Sequence, residues 1–351
     1  MVGGGETAAL SGSDARAGTG VAVVGCGAWG RNLARNFAGL GALCALVDPH
    51  AAVVEKLAET HGGRAASFED VLADGRIDAV AIATQPSRHA ALALAALHAG
   101  KHVLVEKPIA LDREEAEGMV RLADRLDRCL MVGHVLRYHP AFARLHELVR
   151  AGRLGRIRQI YANRLNLGTV RREEDVLWCL GPHDVSMILA LVDAEPTEVG
   201  AIGGHHLRDE IADTATVQLR FPGGEQAQIT VSWMSPVKEH RLTVIGSEAM
   251  AVFDDTLPWE RKLILYPHRV EIEAGAPVAH RAEPVPIALE PAEPLRAECA
   301  HFLDCVRTGR APLTDGAESL RVMDVLSRAS DLMRLGRPRS GQGPLRSVRV
   351  A

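Results

Sequence analysis

The first residues suited to chemistry form a glycine-rich stretch near the N-terminus. The run Gly25-Cys26-Gly27-Ala28-Trp29-Gly30 has the pattern G-x-G-x-x-G, follows an apolar run and precedes a helical pattern over 31–38. Glycines in this arrangement allow a tight turn and let a pyrophosphate approach the N-terminus of the helix. We therefore predict cofactor contacts at Gly25, Gly27, Ala28, Trp29 and Gly30. The alternative is a turn that serves packing alone, and Trp29 itself is expected to pack rather than to react.

An acidic residue ends the next apolar run. Asp48 lies eighteen residues after Gly30, where a carboxylate accepts hydrogen bonds from ribose hydroxyls and repels a 2′-phosphate. Pro49 and His50 come next, and the first cation to follow is Lys56. The sequence therefore predicts NAD as cofactor, with NADP disfavoured.

Two more polar segments directly follow apolar runs. They are Thr84-Gln85-Pro86-Ser87-Arg88-His89 and Glu106-Lys107-Pro108. Ligands of an open parallel sheet bind outside the carboxyl ends of its strands, so we expect Thr84, Gln85, Pro86, His89, Glu106 and Lys107 at the cofactor site. A lysine there is suited to holding a substrate hydroxyl and stabilising the alkoxide that forms on oxidation. The alternative is an ordinary surface Lys–Glu pair.

The elements that position these residues alternate regularly. Short apolar runs begin at Val21, Leu43, Ala79, His102 and Cys129, and helical patterns cover 51–60 and 112–127. Near-continuous apolar strands separated by helices are typical of a parallel sheet buried on both faces. The first part of the chain is therefore predicted to be an α/β Rossmann domain with a doubly wound parallel sheet.

The second part of the chain has a different periodicity. Apolar and polar residues alternate over 214–221 and 226–233, and Pro222-Gly223-Gly224 separates the two runs. Period-two alternation with a turn between indicates a hairpin of an antiparallel sheet that has one polar face. We expect a C-terminal α/β domain with a largely antiparallel sheet, whose polar face meets solvent or another subunit. Helices are predicted over 185–191, 295–308 and 318–335, and a linker or edge segment over 283–294.

Length and composition set the limits of this interpretation. The chain has 351 residues, 47% of them hydrophobic, and a formal net charge of -4. This length suits two domains, and the charge gives no long-range attraction to nucleic acid or to an anionic membrane. No apolar run is long enough to span a bilayer.

We predict a disordered tail over 1–18, domains over 19–135 and 136–335, and a C-terminal tail over 336–351. The six cysteines include no C-x-x-C pair, which favours a reducing, cytoplasmic location.

The glycine stretch, the segment from Thr84 to His89 and the Glu106-Lys107-Pro108 run together resemble the Gfo/Idh/MocA oxidoreductases. The resemblance covers about residues 21–335 and implies a Rossmann domain joined to a second α/β domain. It implies that Lys107 and His183 are the catalytic residues, with His183 as acid/base. A histidine suits that role because its ordinary pKa lies near neutrality. Cys179 stands four residues earlier, where many members carry Asp, and this departure disfavours inositol as substrate.

The segments around Asn163, Arg164 and Arg171-Arg172 resemble the subgroup of this family that oxidises nucleotide sugars. That resemblance implies a UDP-sugar such as UDP-N-acetylglucosamine, oxidised at C3 to a keto sugar. Arginine suits diphosphate geometry, although the charged loop is equally consistent with a solvated turn. We expect substrate contacts from Arg137, Tyr138, Asn163, Arg164, Arg171, Arg172 and His183. Asp184 is expected to cap a helix instead.

Alternatives remain at this point. A free sugar or inositol is the second choice of substrate, and a non-catalytic NAD-binding regulator is the third interpretation, because a fold alone does not establish activity. We expect no metal, because no third ligand accompanies His205-His206 at usable spacing. A homo-oligomer, dimeric or tetrameric, is expected.

Overall fold

The computed structural model describes residues 18–168, 170–171 and 174–335. Two sheets organise this part of the chain. The first has six parallel strands and the second has eight strands, of which all neighbouring pairs but one are antiparallel. The predicted fold class, a Rossmann sheet followed by a largely antiparallel α/β domain, is confirmed.

The first sheet has the strand order β3-β2-β1-β4-β5-β6. Its central strands bury every side chain, as the continuous apolar runs predicted. Because the order reverses between β1 and β4, the carboxyl ends of these strands flank a crevice. The strands are β1 Val21–Val24, β2 Leu43–Val47, β3 Arg64–Ala65, β4 Ala79–Ile82, β5 His102–Val105 and β6 Leu130–Val132.

Helices cover both faces of this sheet, and two short elements were not expected from the sequence. β3 has two residues and α3 has six, which is too short for a periodic pattern. The local signal for α3 is a capping box between Ser67 and Asp70. The helix after the glycine stretch begins at Ala28, three residues before its predicted start. The helices up to the second sheet are α1 Ala28–Gly39, α2 Ala51–His61, α3 Phe68–Ala73, α4 His89–His98, α5 Arg113–Leu126 and α6 Pro140–Arg150.

The second sheet has the order β16-β13-β12-β11-β7-β10-β9-β8. The predicted hairpin is confirmed, with β9 and β10 paired in antiparallel register. Ala215, Val217 and Leu219 are buried on one face, as the alternation predicted. The strands are β7 Ile157–Leu167, β8 Glu198–Gly204, β9 Thr214–Arg220, β10 Gln226–Ser232, β11 Met234–Gly246, β12 Met250–Asp254, β13 Leu263–Tyr266 and β16 Val285–Pro286, with β14 Arg269–Glu273 and β15 Ala276–His280 in a separate hairpin.

Helix α7 (Val176–Val192) is longer than predicted. It begins nine residues before the expected start at residue 185, and the carboxylate of Asp175 accepts a hydrogen bond from the Trp178 N–H at its N-terminus. Pro182 lies inside this helix, where proline removes a ladder hydrogen bond. Here apolar packing on nearly all sides of the helix outweighs that cost. The expected capping role of Asp184 is therefore wrong, since this residue lies inside the helix.

The last two helices are α8 Pro294–Thr308 and α9 Gly316–Leu335. Helix α8 returns to the first sheet, where Phe302 packs edge-on against Phe37 of α1 with ring centroids 6.4 Å apart. Part of the chain from 136 to 335 therefore packs against the first sheet, and the predicted domain boundaries stay a prediction. Residues 1–17 of the predicted N-terminal tail (1–18), and the whole predicted C-terminal tail over 336–351, lie outside the described residues. Among the described helices, none is long and apolar enough to cross a membrane.

Candidate active site

A cleft of about 1040 Å³ opens at the carboxyl ends of the first sheet and reaches α7 beside the second. This volume lies at the upper end of ordinary ligand sites. Residues from both parts of the chain line it. Among them are Gly25, Gly27, Ala28, Trp29, Asp48, Thr84, Gln85, Pro86, Glu106, Lys107, Arg171 and His183.

The glycine loop shows a division of roles. A Cβ at Gly25 would lie 2.6 Å from the carbonyl oxygen of Ala83, and one at Gly30 would lie 1.8 Å from that of Gly25. A Cβ at Gly27 would meet no atom within 4 Å. Gly25 and Gly30 thus allow close backbone packing, whereas Gly27 leaves space at the start of α1. Gly30 is buried below the loop and does not line the cleft, so its predicted cofactor contact is corrected to a packing role.

The start of α1 and Asp48 together fit a dinucleotide. Gly27 precedes the helix without a side-chain cap, which leaves the first N–H groups available to a pyrophosphate. The Asp48 carboxylate accepts hydrogen bonds from the backbone N–H groups of Cys26 at 2.7 Å and His50 at 2.9 Å. Each carboxylate oxygen therefore has one fixed partner and keeps capacity for a ribose hydroxyl.

Trp29 and Glu106 meet at the other end of the cleft. The Trp29 side chain is 40% exposed and lines the cleft, where its predicted cofactor contact stays a prediction. Its indole N–H donates a hydrogen bond to the Glu106 carboxylate. Burial raises the pKa of Glu106 to about 7, against the opposing effects of Lys107 and Trp29. A Cβ at Gly133 would lie 2.9 Å from the Glu106 carboxyl group, so glycine leaves room for it.

His89 holds the two cofactor-side strand ends together. Its ring nitrogens lie 2.8 Å from the carbonyl oxygen of Pro108 and 3.2 Å from that of Thr84. The side chain is 1% exposed and does not line the cleft, which corrects its predicted cofactor contact to an indirect one. Burial lowers the pKa of His89.

Lys107 and His183 converge from different parts of the fold. The Lys107 ammonium donates a hydrogen bond of 2.6 Å to the backbone carbonyl of Cys179, one helical turn before His183. Burial, and then the charges of Lys107 and Arg164, lower the pKa of His183 well below its ordinary value. His183 is therefore a neutral imidazole at neutral pH, able to accept a proton. Its buried Nδ1 has no hydrogen-bond partner among the described residues.

Arg164 is not placed to bind a diphosphate. It is 6% exposed, and its guanidinium makes two hydrogen bonds, of 2.8 and 2.9 Å, to the carboxylate of Asp184. This buried pair, which no sequence spacing indicated, joins β7 to α7. The predicted substrate contact of Arg164 is therefore corrected to an ion pair next to His183.

Three other predicted substrate residues are also absent from the described cleft lining. Arg137 is buried and lies 3.4 Å from Glu318, while the Tyr138 hydroxyl lies 3.3 Å from that of Thr314. Asn163 donates a hydrogen bond to Glu239. Arg137 and Tyr138 therefore contact residues behind the cleft, although the buried Nε of Arg137 has no hydrogen-bond partner among the described residues, and their substrate contacts stay a prediction.

Arg171 does line the cleft, together with Glu174, which the sequence did not single out. The two side chains approach to 3.8 Å, and the Arg171 side chain remains 56% exposed. Arg172 lies outside the described residues. The structure also adds cleft residues near the start of α3, which the Ser67 capping box could have indicated: Ser67, Phe68 and Glu69.

One group of possible metal ligands occurs in the described part of the chain, away from the cleft. Glu271, Glu273 and His280 lie together on the β14–β15 hairpin, and the two glutamates are exposed. The His280 ring lies 2.7 Å from the Glu273 carboxylate, which is an ordinary surface ion pair. The predicted absence of a catalytic metal stays a prediction.

The fold and cleft define a nicotinamide-nucleotide oxidoreductase, and comparison with protein families agrees. Residues 19–134 match the oxidoreductase family with an NAD-binding Rossmann fold. Residues 142–252 match the C-terminal domain of the Gfo/Idh/MocA family. The chain therefore belongs to the Gfo/Idh/MocA oxidoreductases, as its motifs predicted.

Relatives in this family act on sugars and polyols. The chain is 32% identical over 302 residues to UDP-N-acetylglucosamine 3-dehydrogenase of Acidithiobacillus ferrooxidans, covering 86% of this chain and 93% of the relative. A solved structure of that enzyme superposes with a TM-score of 0.80 at 29% identity, covering 90% and 97% of the two chains. The scyllo-inositol 2-dehydrogenase (NAD(+)) of Bacillus subtilis is 26% identical, with 90% and 94% covered. The D-xylose 1-dehydrogenase [NADP(+)] of Haloarcula marismortui is 25% identical, with 85% and 86% covered.

Proposed function

We propose that this oxidoreductase is an NAD-dependent dehydrogenase that oxidises the C3 hydroxyl of a nucleotide sugar such as UDP-N-acetylglucosamine. The observation that carries the proposal is the convergence of Lys107 and neutral His183 in one cleft with Asp48 and Arg171. A dinucleotide has its ribose at Asp48, and a sugar diphosphate has its phosphates at Arg171. The 32% identity to a UDP-N-acetylglucosamine 3-dehydrogenase supports this choice.

The two catalytic candidates divide the chemistry between them. His183 accepts the proton of the sugar hydroxyl, because it is neutral at working pH. Lys107 uses one N–H on the Cys179 carbonyl and keeps two for the sugar oxygen, whose developing negative charge it stabilises. NAD⁺, when bound, supplies the hydride acceptor. The protein supplies position and electrostatics.

The choice of NAD over NADP rests on charge at the ribose site. Asp48 is fixed by two backbone N–H groups, and Glu69 lines the same cleft. A 2′-phosphate would meet these carboxylates, whereas a free 2′-hydroxyl would donate to Asp48. The two cofactors are distinguished by measuring kcat/KM with each one under the same conditions.

The diphosphate role of Arg171 rests on position and exposure. Its side chain lines the cleft, and among the described residues Glu174 is its one ionic partner. An arginine that remains more than half exposed in a cleft is free to turn toward phosphate oxygens. Arg172 is proposed as a second contact from its adjacency alone.

The test is mass spectrometry of UDP-N-acetylglucosamine after incubation with the protein and NAD⁺. Free myo-inositol and glucose serve as parallel substrates. A nucleotide sugar lighter by two hydrogens supports the proposal. Oxidation of a free polyol instead would favour the second candidate, which the Bacillus subtilis relative at 26% identity supports. If none of the substrates changes, the assignment of substrate class is overturned.

Two further proposals concern the state of the molecule. We propose a homo-oligomer that pairs through the outer face of the second sheet, on which Ile202 is 78% exposed and Gln218 and Gln226 are also exposed. Size-exclusion chromatography with light scattering measures the subunit number. A cytoplasmic location is proposed from the six cysteines, all of which are free.

A further inference from the structure

His183, whose imidazole is neutral, lies beside a buried ion pair between Arg164 and Asp184. Asp184 follows His183 on α7, and Arg164 lies on β7. The side chains are 1% and 6% exposed, and their two hydrogen bonds are of similar length, 2.8 and 2.9 Å. Two parallel bonds between a guanidinium and a carboxylate fix orientation as well as distance. The pair therefore fixes the rotation of α7 relative to the sheet.

The orientation of the His183 ring depends on its surroundings, because the ring itself makes few hydrogen bonds. Its Nδ1 is buried without a hydrogen-bond partner among the described residues. Histidines that act as bases are usually oriented by a group on the second nitrogen. Here no described side chain does this, so the position of the backbone beside Asp184 determines where the ring faces.

Nearby charged and titratable groups also act on the His183 ring. The groups that act on His183 from its surroundings are Lys107 after β5, His134 after β6, Arg164 on β7 and His240 on β11. His240 lies directly opposite Arg164 in the β7–β11 register. Burial and then Arg164 lower the pKa of His240 to about 4. One guanidinium therefore opposes protonation of both imidazoles.

We infer that Arg164 and Asp184 form a positioning clamp that aims His183 into the cleft and sets the electrostatic potential at its ring. Neither member of the clamp lines the described cleft. The clamp acts through α7, the helix that carries both Asp184 and His183. The inference rests on the proposed function only for the role of His183 as the base.

The two members of the clamp have opposite effects on His183, which makes the inference testable. Removing the cation in Arg164→Gln leaves an unpaired carboxylate, so the pKa of His183 rises. Removing the anion in Asp184→Asn leaves an unpaired guanidinium, so the pKa of His183 falls further. Charge alone accounts for these two opposite shifts, so the positioning role is tested by a variant that keeps the charge. Arg164→Lys keeps the charge but loses the two parallel bonds, so it keeps the low pKa while kcat falls.

The experiment is an NMR titration of ¹³C-histidine-labelled protein, with the His183 signal assigned from a His183→Gln variant. It needs no substrate, so its outcome is independent of whether the sugar is correctly identified. The expected result is titration at higher pH in Arg164→Gln than in the unchanged protein, and at lower pH in Asp184→Asn. The exposed pair Arg113–Asp324 provides matched controls, Arg113→Gln and Asp324→Asn, which leave His183 unchanged.

Loss of a buried charge can prevent folding, so a second comparison is included. The double variant Arg164→Gln, Asp184→Asn removes both charges and keeps two amide groups that can hydrogen-bond. We expect His183 to titrate at a higher pH in this double variant than in Asp184→Asn alone. Equal titrations in these two variants, or shifts of the same sign in the two single variants, would overturn the clamp.

Discussion

Lys107 donates a 2.6 Å hydrogen bond to the main-chain carbonyl of Cys179. The contact joins the carboxyl end of β5 to the helix that carries His183, so it fixes the separation of the two catalytic candidates across the domain boundary. The ammonium group keeps two further N–H donors for a substrate oxygen. Lys107 is therefore suited to be the electrostatic partner and His183 the base.

Replacing Lys107 by Met should reduce kcat by about 10²- to 10⁴-fold, because positioned donors of this kind contribute that much. NAD affinity should remain unchanged, since Asp48 and the glycine loop hold the distal part of the cofactor. Single-turnover absorbance at 340 nm and equilibrium NADH fluorescence separate the two effects. Lys56→Met, on the exposed surface of α2, is the control. Unchanged turnover in Lys107→Met would remove this residue from the mechanism.

His183 should make the protein less stable in acid. Burial lowers its pKa in the fold, whereas the unfolded chain has the ordinary value near 6.5. The unfolded state therefore binds the proton first, and stability falls as pH drops below 6.5, by about 1.4 kcal/mol per pH unit for this group. Denaturant unfolding at several pH values should show a smaller decrease in His183→Gln. An identical decrease in both proteins would contradict the buried neutral state.

Glu318→Gln should destabilise the fold by about 3–5 kcal/mol, the usual effect of removing one partner from a buried ion pair. Glu318 is 4% exposed and accepts from His134 at 2.7 Å and from Ser186 at 2.5 Å. Urea unfolding measures the change, with Glu147→Gln on the exposed face of α6 as control. If the two variants lose equal stability, the network does not hold α9 against α7.

Arg171→Ala should raise KM for the nucleotide sugar about tenfold or more, since a hydrogen bond to a charged group contributes about 1.5–3 kcal/mol. KM for NAD⁺ should not change. The control is Arg144→Ala, whose side chain is 48% exposed on α6. Steady-state kinetics with the sugar varied at saturating NAD⁺ measure the effect. An unaltered KM would show that Arg171 is surface charge and would favour a substrate without phosphate.

Two glycine variants separate packing from cofactor binding. Gly30→Ala should lower the melting temperature, because its Cβ would lie 1.8 Å from the carbonyl oxygen of Gly25. Gly27→Ala has open space around the added carbon and should melt normally, yet lose NAD affinity because the pyrophosphate needs that space. Differential scanning fluorimetry and NADH titration test both. Normal NAD affinity in Gly27→Ala would place the pyrophosphate elsewhere.

Local patterns explain how much of the fold was predictable. Continuous apolar runs identified the buried parallel strands, and the alternation on either side of Pro222 identified the β9–β10 hairpin. Both signals depend on which faces a strand buries, and the order of apolar and polar residues along the strand indicates those faces. The short α3 was not predicted, because a helix of six residues is too short to show a periodic pattern. The early start of α7 was not predicted either, because proline is unfavourable inside a helix and Pro182 is tolerated here only through tertiary packing.

Tertiary pairing explains what was missed at the site. Arg164 and Asp184 are twenty residues apart on a strand and a helix, and their contact depends on how these elements pack. An exposed arginine and a buried, paired one look the same in a sequence. Lys107, by contrast, was predictable as a cleft residue, because it directly follows a strand whose carboxyl end must face the crevice.

The central claim is that hydride leaves C3 of a nucleotide sugar held between Lys107 and His183. The most direct test uses UDP-N-acetylglucosamine deuterated at C3, incubated with the protein and NAD⁺, followed by mass spectrometry of the reduced cofactor. If hydride leaves C3, the NADH is heavier by one mass unit than that formed from unlabelled sugar. NADH without deuterium, or no NADH at all while a free polyol is oxidised, would contradict it.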